Sequence, residues 1–350
     1  MTALANAGIY LALDLNTPKY SINQASPANS YNSAYLQSLF ATIDAFQGYS
    51  NTLLFFSGNE VINSVSTTSA APYVKAVTRD LKQYIGNRKY RPIPVGYSAA
   101  DIDDNRVETA HYMNCGTDDE RSDFFAFNDY SWCDPSTYST STWQQKVQAF
   151  SNYSIPIFLS EYGCVKTTRK FEEVATLYGT QMTAVYSGGL VYEYSKEGTA
   201  APQNQYGLVA ISGSSVSEQP DFSALQSAFQ GTPLPTGDGG YKSSGSPSTC
   251  PTKSSTWLVS GDALPAMPPK ASAFFKNGAG KGPGLSGAGS QDVGAESPGT
   301  ATAGSGQATA TGGSSTSTSV AGGRPADFSM GPLACGLVVL LSSFVGATLL

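Results

Sequence analysis

The chain has 350 residues, a formal net charge of −6 and no clusters of Lys and Arg, which excludes the concentrated positive field that nucleic-acid phosphates require. Only 13% of residues are charged, whereas Tyr numbers 20. That balance suits a neutral polymer such as a polysaccharide, whose sugar rings offer apolar faces to aromatics and hydroxyls to polar side chains. The lone histidine, His111, leaves no histidine-rich zinc site, and a Ser-His-Asp hydrolase would have to use it; it is read as structural.

Taken in chain order, Ile9–Leu15 reads as a strand, Tyr35–Phe46 as a helix, Thr52–Ser57 as a strand and Ala71–Ile85 as a helix. Strands follow at Ile93–Tyr97 and Phe124–Tyr130, then a helix at Trp143–Phe150, a strand at Ile157–Ser160, a helix at Lys170–Tyr186 and a strand at Leu190–Tyr194. The strand runs are nearly continuous in apolar residues, the pattern of parallel strands buried on both faces. Strand then helix, repeated, predicts an α/β fold. Chemistry-bearing residues just after the strands favour a (β/α)8 TIM barrel over residues 1–242, lacking its first two βα units. No G-x-G-x-x-G follows the first strand and no Walker loop occurs, so nucleotide binding has no support.

From 243 to 329 the chain turns to Gly, Ser, Thr, Ala and Pro. Such a composition buries too little apolar surface to offset chain entropy, and it predicts a disordered, O-glycosylated linker. Residues 330–350 are apolar, preceded by a polar spacer and the small residues Ala321 and Gly322. That order predicts a GPI-attachment signal, with Ala321 or Gly322 as the attachment residue. The N-terminal MTALANAGIYLALDLNTP carries no secretion leader, so the chain is expected to be N-terminally truncated. Apart from Cys335 in the apolar tail, four cysteines remain, Cys115, Cys133, Cys164 and Cys250; an even set fits an oxidising compartment. Asn152-Tyr153-Ser154 is an N-glycosylation acceptor.

Two glutamates fall just past strand ends, Glu60 in LLFFSGNEVIN and Glu161 in IPIFLSEYGC. In a barrel these ends face the catalytic side. Cleavage of a glycosidic bond with retention needs one carboxylic acid to protonate the leaving oxygen and one carboxylate to attack the anomeric carbon. Counting the first visible strand as the third of the barrel puts Glu60 on the fourth and Glu161 on the seventh.

The segments DLNTPKYSIN, FFSGNEVIN, APYVKAVTRD, IPVGYSAADID, NCGTDDERSDFFAFNDYSWC, FLSEYGC and GGLVYEYS, in this order, resemble glycoside hydrolase family 72. The resemblance covers residues 1 to about 250. It implies a fungal, GPI-anchored β-1,3-glucanosyltransferase of the plasma membrane and cell wall, which cleaves β-1,3-glucan internally and passes the glycosyl unit to another glucan chain. Glu60 would be the acid/base, with a raised pKa, and Glu161 the nucleophile, held ionised by a donor such as Tyr130. Asn59, as in similar barrels, would reach the sugar 2-hydroxyl; Asp101 and Arg106 correspond to sugar-binding positions of the family, although they can equally form an ion pair, and Tyr192 and Asn23 are further subsite candidates. Cys133 with Cys164 and Cys115 with Cys250 would be similar to the family's pairing; four cysteines allow three connectivities. No metal or cofactor is expected, and the alternatives are a glucan hydrolase or an inactive glucan-binding fragment.

Overall fold

The computed structural model describes residues 1–197, 205–241, 245–309 and the pair 338–339. Six parallel strands, β1 (Tyr10–Asp14), β2 (Thr52–Asn59), β3 (Val95–Ala100), β4 (Phe124–Asn128), β5 (Ile157–Tyr162) and β6 (Tyr186–Val191), lie side by side in unbroken chain order. A doubly wound sheet would reverse its order at a switch point, whereas a β/α barrel adds each strand beside the last. The sheet is therefore an arc of a TIM barrel. A two-residue strand, Val338–Val339, pairs in parallel with Tyr10 and Leu11 on the outer side of β1.

The unbroken apolar runs have a direct cause. Phe55, Phe125 and Phe127 point into the large core between sheet and helices. Their neighbours Leu54, Phe56, Phe124 and Ala126 form a second cluster on the opposite face of the sheet, joined by Ala12 and the partly buried Phe158. Phe56 and Phe124 meet edge to face at 5.4 Å. The side-chain period of two thus alternates between two apolar layers rather than between core and water. Gly96 makes room for this inner layer, since a Cβ there would stand 2.8 Å from the Phe124 ring.

The helices are α1 (Thr2–Asn6), α2 (Pro27–Ser30), α3 (Ser33–Phe46), α4 (Ala71–Asn87), α5 (Arg106–Met113), α6 (Trp143–Phe150), α7 (Glu173–Leu177), α8 (Thr180–Thr183), α9 (Pro220–Gln230) and α10 (Ser272–Asn277). Asn32 caps α3 by accepting from the Tyr35 N–H at 3.0 Å. The single helix expected over Lys170–Tyr186 is broken into α7 and α8, because Gly179 between them is extended (φ −78°, ψ 158°). The strand expected at Leu190–Tyr194 runs instead over Tyr186–Val191, taking in Gly188 and Gly189. Gly189 is needed there, as a Cβ would lie 3.0 Å from both Leu159 and Tyr162. A hairpin, β7 (Val209–Ser212) with β8 (Ser215–Glu218), follows.

The largest correction concerns the expected linker. From 245 to 309 the chain is not a free tail but a strap laid along the helices. Trp257 is fully buried against Tyr112, with ring centroids 5.3 Å apart, and Leu264, Met267 and Ala271 are buried with it. Phe275 packs on Phe40 and Tyr84. Cys115 and Cys250 tie the start of the strap to the barrel, and Cys133–Cys164 joins the loops after β4 and β5. The irregular backbone is satisfied by barrel side chains: Ala279 N–H donates to Asp44 and Tyr84, Gly304 N–H to Glu120, and Leu258 N–H to Thr68. Composition alone missed this, because a few wide-spaced apolar anchors and borrowed acceptors replace a local hydrophobic pattern. Residues 310–337 and 340–350, including Ala321 and Gly322, lie outside the described residues. Among the described residues no helix is long and apolar enough to cross a membrane.

Candidate active site

Register brings the polar residues together at the carboxyl ends of the strands. Asn59 at the end of β2 pairs with Ser98 on β3, and Asn128 at the end of β4 pairs with Glu161 on β5. Asn128 is the hub. Its Nδ2 donates to Asn59 Oδ1 and Glu60 Oε1, each at 3.0 Å. Its Oδ1 accepts from Ser160 Oγ at 2.8 Å and Ser98 Oγ at 3.1 Å. All four bonding positions of the amide are filled, which fixes both its orientation and the carboxylate it holds.

Glu60 itself stands in the left-handed region, at φ 51°. For a residue with a Cβ this conformation costs roughly 1–2 kcal/mol. Such outliers concentrate where a site requires a particular aim. The Glu60 N–H is secured to Ser98 O at 2.9 Å, so the bend at the end of β2 turns the carboxyl toward Asn128.

On β5, Glu161 Oε2 accepts from Tyr130 Oη at 2.5 Å. The expected donor to Glu161 is in place, and it works against burial. Burial pushes the Glu161 carboxyl up from 4.5 to about 7; the Tyr130 bond opposes this, while Glu60, Glu193 and Asp14 add negative charge nearby. Tyr130 is itself raised far above the ordinary phenol range by burial and then by Glu161. Asp14, at the end of β1, is pushed up to about 6 by burial, against the bonds from Asn16. Glu193, buried just past β6, is pushed up to about 7 by burial and then by Glu197.

Tyr192, one residue beyond β6, joins an aromatic group with Tyr206 and Tyr130, the ring centroids of Tyr192 and Tyr206 being 5.2 Å apart and those of Tyr130 and Tyr206 5.5 Å. Asn23 lies in the loop after β1 and, with Asn59 and Glu60, lines a cleft of about 290 Å³. Asp101 and Arg106 do not line that cleft; they pair with each other, and Asp101 Oδ2 also accepts from buried Lys146 at 2.5 Å. Lys146 reaches Asp129 at 2.6 Å as well, bracing the segment that carries Tyr130. Asn152 is exposed in the turn after α6, open to a glycan. Among the described residues no three His, Cys, Asp or Glu side chains are gathered to hold a metal.

Sequence reasoning found both glutamates, Asn59 and Tyr130. It missed Asn128, Ser98, Ser160, Asp14 and Glu193. For Asn128 the signal was available, since FFAFN places it at a strand end as LSE places Glu161, but an Asn before Asp also reads as a turn.

With this geometry in hand, comparison with known proteins is informative. The family model for glycoside hydrolase family 72, described as Glucanosyltransferase, matches residues 1–233. The chain is 64% identical over 288 residues to 1,3-beta-glucanosyltransferase gel1 of Aspergillus fumigatus, covering 82% of this chain and 63% of that protein. It is 52% identical over 283 residues to 1,3-beta-glucanosyltransferase GAS5 of Saccharomyces cerevisiae, covering 80% and 57%. Among solved structures, a mutant of Saccharomyces cerevisiae Gas2p in complex with laminaritetraose and laminaripentaose superposes with a TM-score of 0.70 at 37% identity, covering 77% of this chain and 59% of that one. The chain thus spans less than two thirds of the length of these curated relatives.

Proposed function

The chain belongs to the glucanosyltransferase family, glycoside hydrolase family 72, and from that premise we propose that it cleaves β-1,3-glucan internally and transfers the new end to another glucan chain. The observation that carries this reading is the pair of glutamates at the ends of β2 and β5, each with its own dedicated donor: Asn128 for Glu60 and Tyr130 for Glu161.

In the first step a Glu161 carboxylate oxygen attacks the anomeric carbon, while protonated Glu60 gives its proton to the departing glycosidic oxygen. The bond to the leaving chain breaks as the ester to Glu161 forms. In the second step Glu60, now a carboxylate, takes the proton of an incoming sugar hydroxyl, whose oxygen attacks the same carbon and displaces Glu161. Retention follows from two inversions. Tyr130 Oη stabilises Glu161 whenever it carries charge, before attack and after release, and Asn128 keeps Glu60 aimed at the bond through both proton transfers. Asn59, Asn23, Tyr192 and Tyr130 are read as sugar contacts. Asp101 and Arg106 are read as acting on the sugar site at one remove, through Lys146 and Asp129. Gas2p was crystallised with laminari-oligosaccharides, which supports the same substrate class here.

The protein is further proposed to work outside the cell, at the cell wall, held to the plasma membrane by a GPI anchor at Ala321 or Gly322; the small, polar, apolar order of 321–350 supports this. The test is incubation with reduced laminari-oligosaccharides beside Glu60→Gln and Glu161→Gln. Products longer than the substrate, lost in both variants, are the expected result; shorter products alone would leave a hydrolase.

A further inference from the structure

Arg169 takes no part in the steps above, yet it is buried beside them, 4% exposed, in the segment between β5 and α7. A cation taken out of water has to be paired. Its carboxylate partner is Asp221 at the start of α9, whose Oδ2 accepts from Nε at 2.7 Å and lies 2.6 Å from Nη2. That pair uses one edge of the guanidinium. The rest of the fork turns toward the aromatic group: Nη1 donates to Tyr192 O at 3.1 Å and Nη2 to Tyr206 O at 2.7 Å. A planar guanidinium holds such acceptors at fixed angles, which the point charge of a lysine does not.

The two carbonyls belong to the tyrosines whose rings stand 5.2 Å apart beside Tyr130. Their backbone segments run side by side, with Leu208 N–H donating to Glu193 O at 3.0 Å and Val209 N–H to Tyr194 O at 2.8 Å. At the tyrosine end this pairing weakens, since Glu193 N–H reaches Tyr206 O only at 3.3 Å. Arg169 closes that end. Its own place is fixed by the next two residues, Lys170 and Phe171, whose N–H groups donate to Asp134 Oδ2 at 2.7 and 2.9 Å, and its guanidinium lies over the Phe171 ring at 5.1 Å. Tyr192 and Tyr206 are both half-buried, so part of each remains to meet a sugar. Tyr130 is held separately, through Asp129 and Lys146, which leaves the other two rings to the arginine.

We propose that Arg169 is a positioning residue of the sugar site: by holding the Tyr192 and Tyr206 carbonyls on one guanidinium it sets the spacing of the two rings against which the glucan packs. This rests on the function proposed above. The experiment uses the full chain with reduced laminari-oligosaccharides and separates KM from kcat. Arg169→Lys keeps a charge for Asp221 and loses the fork; KM is expected to rise about tenfold, the worth of one charge-assisted hydrogen bond, with kcat within twofold, the signature of lost binding rather than lost chemistry. Asp221→Asn breaks the ion pair to α9 and spares both carbonyl bonds, so it is expected to lower the melting temperature with KM within twofold. Tyr206→Ala keeps the carbonyl and loses the ring; in that background Arg169→Lys is expected to raise KM threefold or less. An equal rise in Asp221→Asn would make Arg169 an anchor for α9 only, and would overturn the proposal. So would the full tenfold rise persisting without the Tyr206 ring, or an Arg169→Lys chain that fails to fold. An unchanged KM in Arg169→Lys, with the parent protein active, overturns it while leaving the proposed function standing. A parent protein that neither cleaves nor transfers takes down both.

Discussion

At the ends of β2, β3, β4 and β5, polar side chains bond to one another: two serines, an asparagine and a glutamate meet at Asn128, on strands whose register fixes them. Along the strap the arrangement is inverted, with irregular backbone donating to side chains that belong to the barrel, such as Asp44, Glu120 and Thr68. The first region is rigid because its scaffold is regular. The second is fixed only because something else is. Damage to the strap should therefore appear as lost stability, and damage to the strand ends as lost rate.

The largest effect separating the two is expected from Trp257→Ala. Truncating this fully buried ring should cost about 4 kcal/mol, seen as a lower urea midpoint, while the folded fraction retains its kcat. If kcat falls in step with stability, the two regions are not separable. Next comes Asn128→Ala, which frees Glu60 and leaves Ser98 and Ser160 without their acceptor. A loss of about 100-fold in kcat/KM is expected, by analogy with removal of a preorganised donor; a tenfold loss or less would show that the bend at Glu60 suffices to aim it.

Tyr130→Phe is smaller, about tenfold in kcat/KM at pH 6, and carries a signature. Without the phenol donor nothing offsets burial, so the acidic limb of the pH profile, set by a Glu161 pKa of about 7, should move to higher pH. The remaining effect is read in stability rather than in rate. Because the folded pKa of Glu161 is raised from 4.5 to about 7, its contribution is fully present below pH 4.5 and is lost as pH rises through 7. The melting temperature of Glu161→Gln relative to the parent should accordingly rise between pH 4.5 and 7 and then level. A flat difference would mean that Glu161 is not raised.

The strands were legible because each buries both faces, an apolar signature that survives without any knowledge of partners. Glu60 and Glu161 were legible because a carboxylate directly after such a run has few structural reasons to be there. The tuning of Glu161 was not, since it depends first on burial within the closed arc and then on Glu60, Glu193 and Asp14, carboxylates from the end of β2, the segment after β6 and β1 that only the arc brings near. Nor was the strap: Trp257, Leu264 and Met267 follow no period, and their partners on α4 and α5 lie more than a hundred residues earlier.

The strap also reaches the cleft beside Glu60, where Gln291 lines it and donates to Ser21 Oγ across 270 residues of sequence. A ribosome adding 5–20 residues per second needs about 15–50 s to cover that interval. Through all of it the loop after β1 has been made and its clasp has not. The strands can pair as they emerge, but this wall of the cleft is finished after nearly everything else, so a nascent chain holds both glutamates long before it holds a complete site.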